Sequence, residues 1–264
     1  MSVWVCIPSA RPAEEVAKWA QAWRVRGYKI ALWRDNAVGA PSCDILGTTE
    51  KEGPGEYPGY AKAVNSLVAH AMDQDPEAEW FIIGGDDVYP DPNHTAEEIA
   101  RECGDHFGGP EGEYLGSGVE RTQFYRTFGV MQPTGDRWGV NPDHPNPAMR
   151  SAYIDRVCGS AWIGREFARR INQGKGPLWP EYQHMFVDAE LQAVATKLGV
   201  LWQRPDLIQM HNHASRAPRY NGSLDCPPHL RKWTIGEEGR KHWRESEDLY
   251  NRRERAGFLG SEPL

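Results

Sequence analysis

Residues 80–87, Trp-Phe-Ile-Ile-Gly-Gly-Asp-Asp, decide the class of fold. Four consecutive apolar residues that end at two glycines are typical of a short strand buried on both faces. Strands of that kind belong to parallel sheets with helices on each side. Because two carboxylates follow directly, we expect this strand to end at a polar site.

The segments around this strand alternate between strand-like and helix-like patterns. In chain order, the predicted elements are strand 3–7, helix 13–24, strand 29–33, strand 43–46, helix 60–72, an apolar stretch and helix within 156–170, helix 188–197 and strand 200–202. Residues 104–147 are rich in Gly and Pro and are predicted to be mostly loop. The alternation predicts an α/β fold with a mostly parallel central sheet flanked by helices.

Polar side chains follow three of the predicted strands. Ser9 and Arg11 come after the first strand, Asp35 after the second, and Asp86 and Asp87 after strand 80–83. Since the carboxyl ends of parallel strands meet at one edge of a sheet, where such folds bind their ligands, these residues define a candidate site.

Composition excludes several classes of protein. The 264 residues carry a net charge of −7, which argues against a protein that coats nucleic acid by bulk electrostatics. Five scattered cysteines contain no Cys-x-x-Cys pair, and the N-terminus has no signal-peptide pattern. No apolar run approaches the roughly 20 residues that a membrane span requires. We therefore expect a soluble cytoplasmic protein with no membrane partner.

Adjacent carboxylates at a sheet edge favour a divalent cation, because Mg²⁺ and Mn²⁺ take oxygen ligands and are shared with phosphates. The alternative for Asp86 and Asp87 is an Asx-turn or a helix cap. His211 and His213 follow a late strand and could complete a metal shell, or they are an inert surface pair.

Asp188 opens a predicted helix and could act as a general base on a hydroxyl group. Capping of the helix dipole explains the same residue without any catalytic role. Lys62 and Asn65 lie three residues apart on helix 60–72 and are expected to share a face. The sequence has no Gly-x-x-x-x-Gly-Lys-[Ser/Thr] loop, no Gly-x-Gly-x-x-Gly after a strand and no Gly-x-Ser-x-Gly elbow.

Taken in order, these motifs resemble a GT-A-fold glycosyltransferase of the family 2 type, which uses nucleotide sugars. Residues 5–12 are similar to the first strand and its nucleotide-binding turn, and residues 81–92 to the strand, Asp-x-Asp motif and Pro-x-Pro loop of that family. The stretch that begins at Asp188 resembles its Glu-Asp-x-x-Leu helix. The chain departs from the pattern at Gly85, where the family has the first Asp, and at Val187, in place of the leading Glu.

The resemblance implies a GT-A-like (Rossmann-like) fold with a helical and loop C-terminal extension, and a role for each candidate residue. Asp188 becomes the catalytic base of an inverting transfer. A divalent metal, Mn²⁺ or Mg²⁺, is held by Asp87, Asp86, His211 and His213. The implied donor is a UDP-sugar, bound by Pro8, Ser9, Arg11, Asp35, Lys62, Asn65, Asp86, Arg216 and Arg219. The acceptor is bound by Gly159, Trp162 and Glu190.

Two units are expected: residues 1–215 as the glycosyltransferase domain, and residues 216–264 as a lid and helical extension packed on it. In the lid, Arg216 or Arg219 would close on the diphosphate, although an ordinary basic surface loop explains them equally. The extension holds ten Lys and Arg against eight Asp and Glu.

The chain is similar to compact glycosyltransferases encoded by bacteriophages, which implies 5-hydroxymethylcytosine (a hydroxymethylpyrimidine) in phage DNA as the acceptor, in the host cytoplasm. Basic and aromatic residues alternate in the tail, as surfaces that bind nucleic-acid strands require, but a solvated amphipathic helix explains them as well. The other acceptors are a surface glycan or a virion protein. A different class is a non-catalytic module that binds a nucleotide sugar or nucleic acid.

Overall fold

The structure, a computed structural model, describes residues 1–34, 42–48, 58–108, 125–137, 143, 145–147, 150–151, 153–213 and 236–264. The elements are β1 (Ser2–Ser9), α1 (Ala13–Arg24), β2 (Lys29–Arg34), β3 (Ile45–Thr48), α2 (Tyr60–Gln74), β4 (Ala78–Ile82), β5 (Val88–Tyr89), α3 (Ala96–Gly108), β6 (Val130–Pro133), β7 (Trp162–Gly164), α4 (Arg165–Gly174), α5 (Val187–Lys197), β8 (Leu201–Arg204), β9 (Met210–His211) and α6 (Gly236–Arg255).

Seven strands form the central sheet, in the order β3-β2-β1-β4-β7-β6-β8. Six of them run in one direction, and β7 is antiparallel to both of its neighbours, β4 and β6. A separate antiparallel pair joins β5 to β9. The predicted fold class is therefore confirmed: a mixed α/β fold with a mostly parallel central sheet flanked by helices.

Both faces of the sheet are covered, because successive side chains of a buried strand point to opposite sides. One set of β1 side chains packs with α1 and α3, and the other with α2, α4 and α5. The indole N–H groups of Trp19 and Trp23, both fully buried in α1, donate to the carbonyl oxygen of Val88 at 2.7 and 3.1 Å. Two core tryptophans thus fix the start of β5, directly after the paired carboxylates.

Several elements differ from the sequence prediction. The third strand begins two residues later than expected, at Ile45. The region predicted as loop contains the end of α3, which begins at Ala96, and strand β6. Helix α3 follows a Thr95–Glu98 capping box: Thr95 N–H donates to the Glu98 carboxylate at 2.8 Å, and Glu98 N–H donates to Thr95 Oγ1 at 3.3 Å. The sequence contains this motif, and the prediction overlooked it.

The C-terminal helix α6 packs against α5. Arg253 donates to the Glu190 carboxylate at 2.6–2.9 Å, and both side chains are buried. The hydroxyl group of Tyr182 donates to Glu190 at 2.8 Å. Residues 214–235 lie outside the described part, so the division of the chain at residue 215 stays a prediction. In the described ranges, none of the helices is long and apolar enough to cross a membrane.

The Glu190–Arg253 pair gives a prediction about stability. Arg253→Met should lower the free energy of unfolding by about 3–5 kcal/mol, because it leaves a buried carboxylate without its cation. The double variant Glu190→Leu/Arg253→Met should recover most of that loss, since no charge stays buried. Urea denaturation at pH 7 measures both effects. A loss below about 1 kcal/mol in Arg253→Met, the size of a surface ion pair, would contradict a buried pair.

Candidate functional site

The carboxyl ends of β1 and β4 bring three of the predicted residues into direct contact. Ser9 Oγ donates to Asp86 Oδ2 at 2.5 Å, and Arg11 Nε donates to Asp86 Oδ1 at 2.7 Å. Both oxygens of Asp86 are therefore occupied by protein groups. Arg11, in the turn that follows β1, thus balances the charge of Asp86.

Arg34, which the sequence prediction missed, supports the same turn. It ends β2, and its buried guanidinium donates to the carbonyl oxygen of Arg11 at 2.7 Å and to that of Ser9 at 3.4 Å. The sequence places this arginine at the end of an apolar strand, and that position was the signal that could have identified it. The next residue, the predicted donor ligand Asp35, lies outside the described residues.

Asp87 and His211 come together through the β5–β9 pair. The ladder places Val88 opposite His211, and the N–H group of Asn212 donates to the Asp87 carbonyl oxygen at 2.7 Å. His211 Nε2 then lies 3.2 Å from Asp87 Oδ1. The His213 ring packs edge-to-face on His211, with centroids 5.3 Å apart.

The charge of Asp87 is stabilised by this arrangement. Burial acts to raise the pKa of its carboxyl group, but the hydrogen bond from His211 and the charges of His211, His213 and Arg11 hold that pKa below the ordinary value. Asp87 is therefore an ionised carboxylate beside two imidazole rings.

Gly85 has a steric reason to be glycine. A Cβ atom at this position would lie 2.5 Å from Asp87 Oδ1, so any side chain would force the Asp87 carboxylate to move. Glycine at the first position of the Asp-x-Asp pattern therefore leaves room for Asp87 to point towards His211.

The side chains at Asp87 are of the chemical type that binds a divalent cation. One carboxylate and two imidazoles offer the oxygen and nitrogen ligands that Mn²⁺ accepts. Within the described ranges, no three His, Cys, Asp or Glu side chains are close enough to form a finished site. Asp86 is the predicted metal ligand that fits least, because Ser9 and Arg11 occupy its carboxylate.

Asp188 stands at the first turn of α5, close to the same sheet edge. A Cβ atom on Gly84 would lie 3.3 Å from the carbonyl oxygen of Gly159, and one on Gly159 would lie 3.8 Å from Asp188 Oδ2. The N–H group of Cys158 donates to the Asp188 carbonyl oxygen at 3.4 Å. Gly159 therefore lies close both to Asp188 and to Gly84, in the loop after β4.

The electrostatics of Asp188 differ from those of Asp86 and Asp87. Residue 188 is partly exposed, but desolvation raises the pKa of its carboxyl group above the ordinary aspartate value, against the backbone N–H of Ala189 at 2.9 Å. Among the described residues, no cation pairs with it. A partly exposed carboxylate without a cation partner among the described residues is suited to accept a proton.

Two tyrosines near Asp188 were missed by the sequence prediction. The Tyr60 hydroxyl donates to the Gly84 carbonyl oxygen at 3.2 Å, and burial together with the charges of Asp188 and Asp87 raises its pKa. Burial and the Asp188 charge raise the pKa of Tyr153 to about 12. Both hydroxyl groups are therefore neutral hydrogen-bonding groups around Asp188.

Three predicted binding residues instead hold the fold together. The Asn65 amide makes two hydrogen bonds with the backbone of Leu178, at 2.7 and 3.0 Å. Trp162 is fully buried, and its indole donates to Gln209 at 3.0 Å. Glu190 is taken up by Arg253, as described above. Because their polar groups are occupied inside the protein, we no longer count these three as ligand contacts.

The remaining predicted residues are less constrained. Lys62 is exposed on α2, and Pro8 is partly exposed in β1. Arg216 and Arg219 lie outside the described residues. The described structure therefore brings together Ser9, Arg11, Asp86, Asp87, His211, His213, Gly159 and Asp188 along one edge of the sheet.

No protein-family model matches the sequence, and neither does any curated protein. Among solved structures, a glycosyltransferase involved in the glycosylation of the major capsid of PBCV-1 is similar to this chain with a TM-score of 0.29 and 11% identity, over 63% of this chain and 61% of that one. This chain thus spans less than two thirds of that enzyme. A mutant of Drosophila β1,4-galactosyltransferase 7, in complex with manganese, UDP-Gal and xylobiose, gives a TM-score of 0.42 and 11% identity, over 90% and 82%. Similarities this low carry no argument about activity, so the fold class rests on the chain's own sheet.

Proposed function

We propose that the protein is a metal-dependent glycosyltransferase that moves a sugar from a nucleotide sugar to an acceptor hydroxyl group, with Asp188 as the base. The observation that supports it most is the division of roles at one sheet edge: Asp87 is ionised beside two histidines, whereas Asp188 has no cation partner among the described residues and a raised pKa.

The proposed reaction has one base and one displacement. Asp188 takes the proton of the acceptor hydroxyl as its oxygen forms a bond to the anomeric carbon of the donor sugar. The bond from that carbon to the phosphate oxygen breaks, and its electron pair leaves with the nucleoside diphosphate. Asp188 would direct the acceptor oxygen to the face of the anomeric carbon opposite the leaving group. Attack from that face would invert the anomeric centre.

The turn after β1 is where the nucleotide-sugar donor would bind. Arg11 lies beside Asp86 with its guanidinium partly exposed, at the place where a nucleotide would meet the carboxyl edge of the sheet. Asp87, His211 and His213 are the residues that would hold Mn²⁺ or Mg²⁺. When bound, such an ion would neutralise the charge that develops on the leaving diphosphate. A UDP-sugar is the donor to test first.

For the acceptor we propose a hydroxyl group bound near Gly159 and Asp188. The phage-type resemblance implies 5-hydroxymethylcytosine in DNA as the acceptor. Helix α6 gives this acceptor little support, because its six basic residues are balanced by six acidic ones. Arg253 of that helix is also occupied by Glu190. A surface glycan or a virion protein is therefore an equal alternative for the acceptor.

A transfer assay tests the function as a whole. The protein is incubated with Mn²⁺ and a panel of nucleotide sugars, with hydroxymethylcytosine DNA, plain cytosine DNA, oligosaccharides and protein as acceptors. Mass spectrometry should show one added sugar on a hydroxyl acceptor, together with release of the nucleotide. A protein that binds a nucleotide sugar but neither hydrolyses nor transfers it would instead be a binding module.

Asp188→Asn tests the proposed base. Transfer should fall by at least about a hundredfold, because the amide cannot accept the proton, while nucleotide binding by calorimetry stays unchanged. Full turnover by this variant would remove the assignment.

The same variant should be more stable than the natural protein at pH 7. The pKa of Asp188 is higher in the folded state than in the unfolded state. The natural protein therefore loses stability as the pH rises from the unfolded pKa through the folded pKa, whereas an amide does not ionise. The gain should vanish below about pH 4, where the carboxyl group is protonated in both states. Urea denaturation at pH 7 and at pH 3.5 measures the difference, and an equal gain at both pH values would contradict the desolvation argument.

Asp87→Asn tests the metal site without substrate. Mn²⁺ affinity should fall by at least about tenfold, because the ionised ligand is replaced by a neutral one. The signal of free Mn²⁺ in electron paramagnetic resonance measures binding directly, and Asp73→Asn, an exposed carboxylate on α2, is the control. Equal Mn²⁺ binding by all three proteins would place the metal elsewhere.

A further inference from the structure

The residue before α5 has an unusual backbone. Phe186 has φ 66° and ψ −5°, which is the left-handed conformation that bulky residues avoid. Its carbonyl oxygen accepts the N–H group of Glu190 at 3.0 Å and so starts the helix. Strained residues of this kind persist only where surrounding contacts hold them, and they concentrate at functional sites. Asp188 is only two residues further along.

The contacts that hold Phe186 come from α6. The Trp243 ring packs on Phe186 with centroids 5.0 Å apart at 69°, and the Tyr250 ring packs on it at 5.8 Å. Trp243 and Tyr250 are seven residues apart, so they lie on the same face of the helix. That face therefore places two aromatic rings against Phe186.

The same face of α6 also holds α5 beyond Asp188. Arg253, three residues after Tyr250, forms the buried ion pair with Glu190. Helix α6 thus contacts α5 two residues before and two residues after Asp188. The backbone that carries the carboxylate is fixed from both directions by one helix.

We propose that Trp243 and Tyr250 are positioning residues for Asp188: their rings hold Phe186 in its left-handed conformation, and this sets the direction in which α5 presents the carboxylate. The inference rests on the proposed function for its catalytic meaning. It also gives the basic and aromatic tail a role in the reaction that requires no nucleic acid. Trp243 touches no substrate in this proposal and acts through Phe186.

Trp243→Ala tests this role, with Trp243→Phe as the variant that keeps a ring and Asp248→Ala, an exposed residue of α6, as the control. Trp243→Ala should lower kcat between about tenfold and a hundredfold, because the base loses its alignment. The donor KM should change by less than about twofold, since the donor side is untouched. Trp243→Phe should recover most of kcat, and Asp248→Ala should match the natural protein.

The pH profile adds a readout that a merely structural role would not move. Among the residues that the structure describes, the titratable groups that face Asp188 are Tyr60 of α2, Tyr153 and Cys158, and the pKa of each is raised as well. Loosening of α5 should admit water to Asp188 and lower its pKa towards the ordinary value. The acid limb of kcat/KM should therefore move to lower pH in Trp243→Ala and stay in place in Asp248→Ala.

Amide hydrogen exchange separates this inference from the proposed function. The amides of residues 190–193, which donate the first helical hydrogen bonds of α5, should exchange faster in Trp243→Ala than in Asp248→Ala, whether or not a substrate is known. Unchanged exchange there, or an unchanged kcat in an active protein, would overturn the positioning role. So would a donor KM that rises in step with the fall in kcat. If Trp243→Ala does not fold, Trp243→Leu, which keeps apolar cover without a ring, must show the faster exchange.

Discussion

Three carboxylates, Asp86, Asp87 and Asp188, reach one edge of the sheet, and the free energy of desolvating their charges constrains the rest of the site. Asp86 is balanced by Arg11 and Ser9, and Asp87 by His211 at the end of β9 and His213 just after it. Asp188 has no cation partner among the described residues, and its pKa rises in consequence. In the proposed function, these three environments assign one carboxylate to a turn, one to a metal and one to a proton.

The reversed strand β7 explains how Gly159 joins this site. In a parallel sheet, the loops after the strands reach the carboxyl edge. Because β7 is antiparallel to β4, the loop before it reaches that edge instead, and Gly159 therefore lies between Gly84 and Asp188. At the opposite end of β7, a Cβ atom on Gly164 would lie 2.0 Å from the carbonyl oxygen of Thr127, so the strand leaves the sheet through a position that admits only glycine.

Apolar runs and helical periodicity were enough to predict β1, β2, β4 and the helices α1, α2 and α5, because burial on both faces leaves a strong pattern, but they missed β6 and α3. The same signals could not reveal which polar residues are used internally. Asn65 pairs with the backbone at Leu178, and Glu190 pairs with an arginine 63 residues away, although both looked like ligand contacts. Nor could a two-residue strand such as β5 be predicted, since its pairing with β9 is set by tertiary contacts with Trp19 and Trp23.

The β5–β9 pair has a consequence for chain entropy. It joins residues 88 and 211, so three of the seven strands of the central sheet, β6, β7 and β8, lie inside one long loop closed by a ladder of two residues on each side. A cation bound by Asp87, just before β5, and by His211 of β9 would act as a reversible cross-link across that loop. Such links stabilise a fold mainly by restricting its unfolded chain, and long loops gain most from them. Binding of an ion at this one site would thus affect how cooperatively the whole domain unfolds.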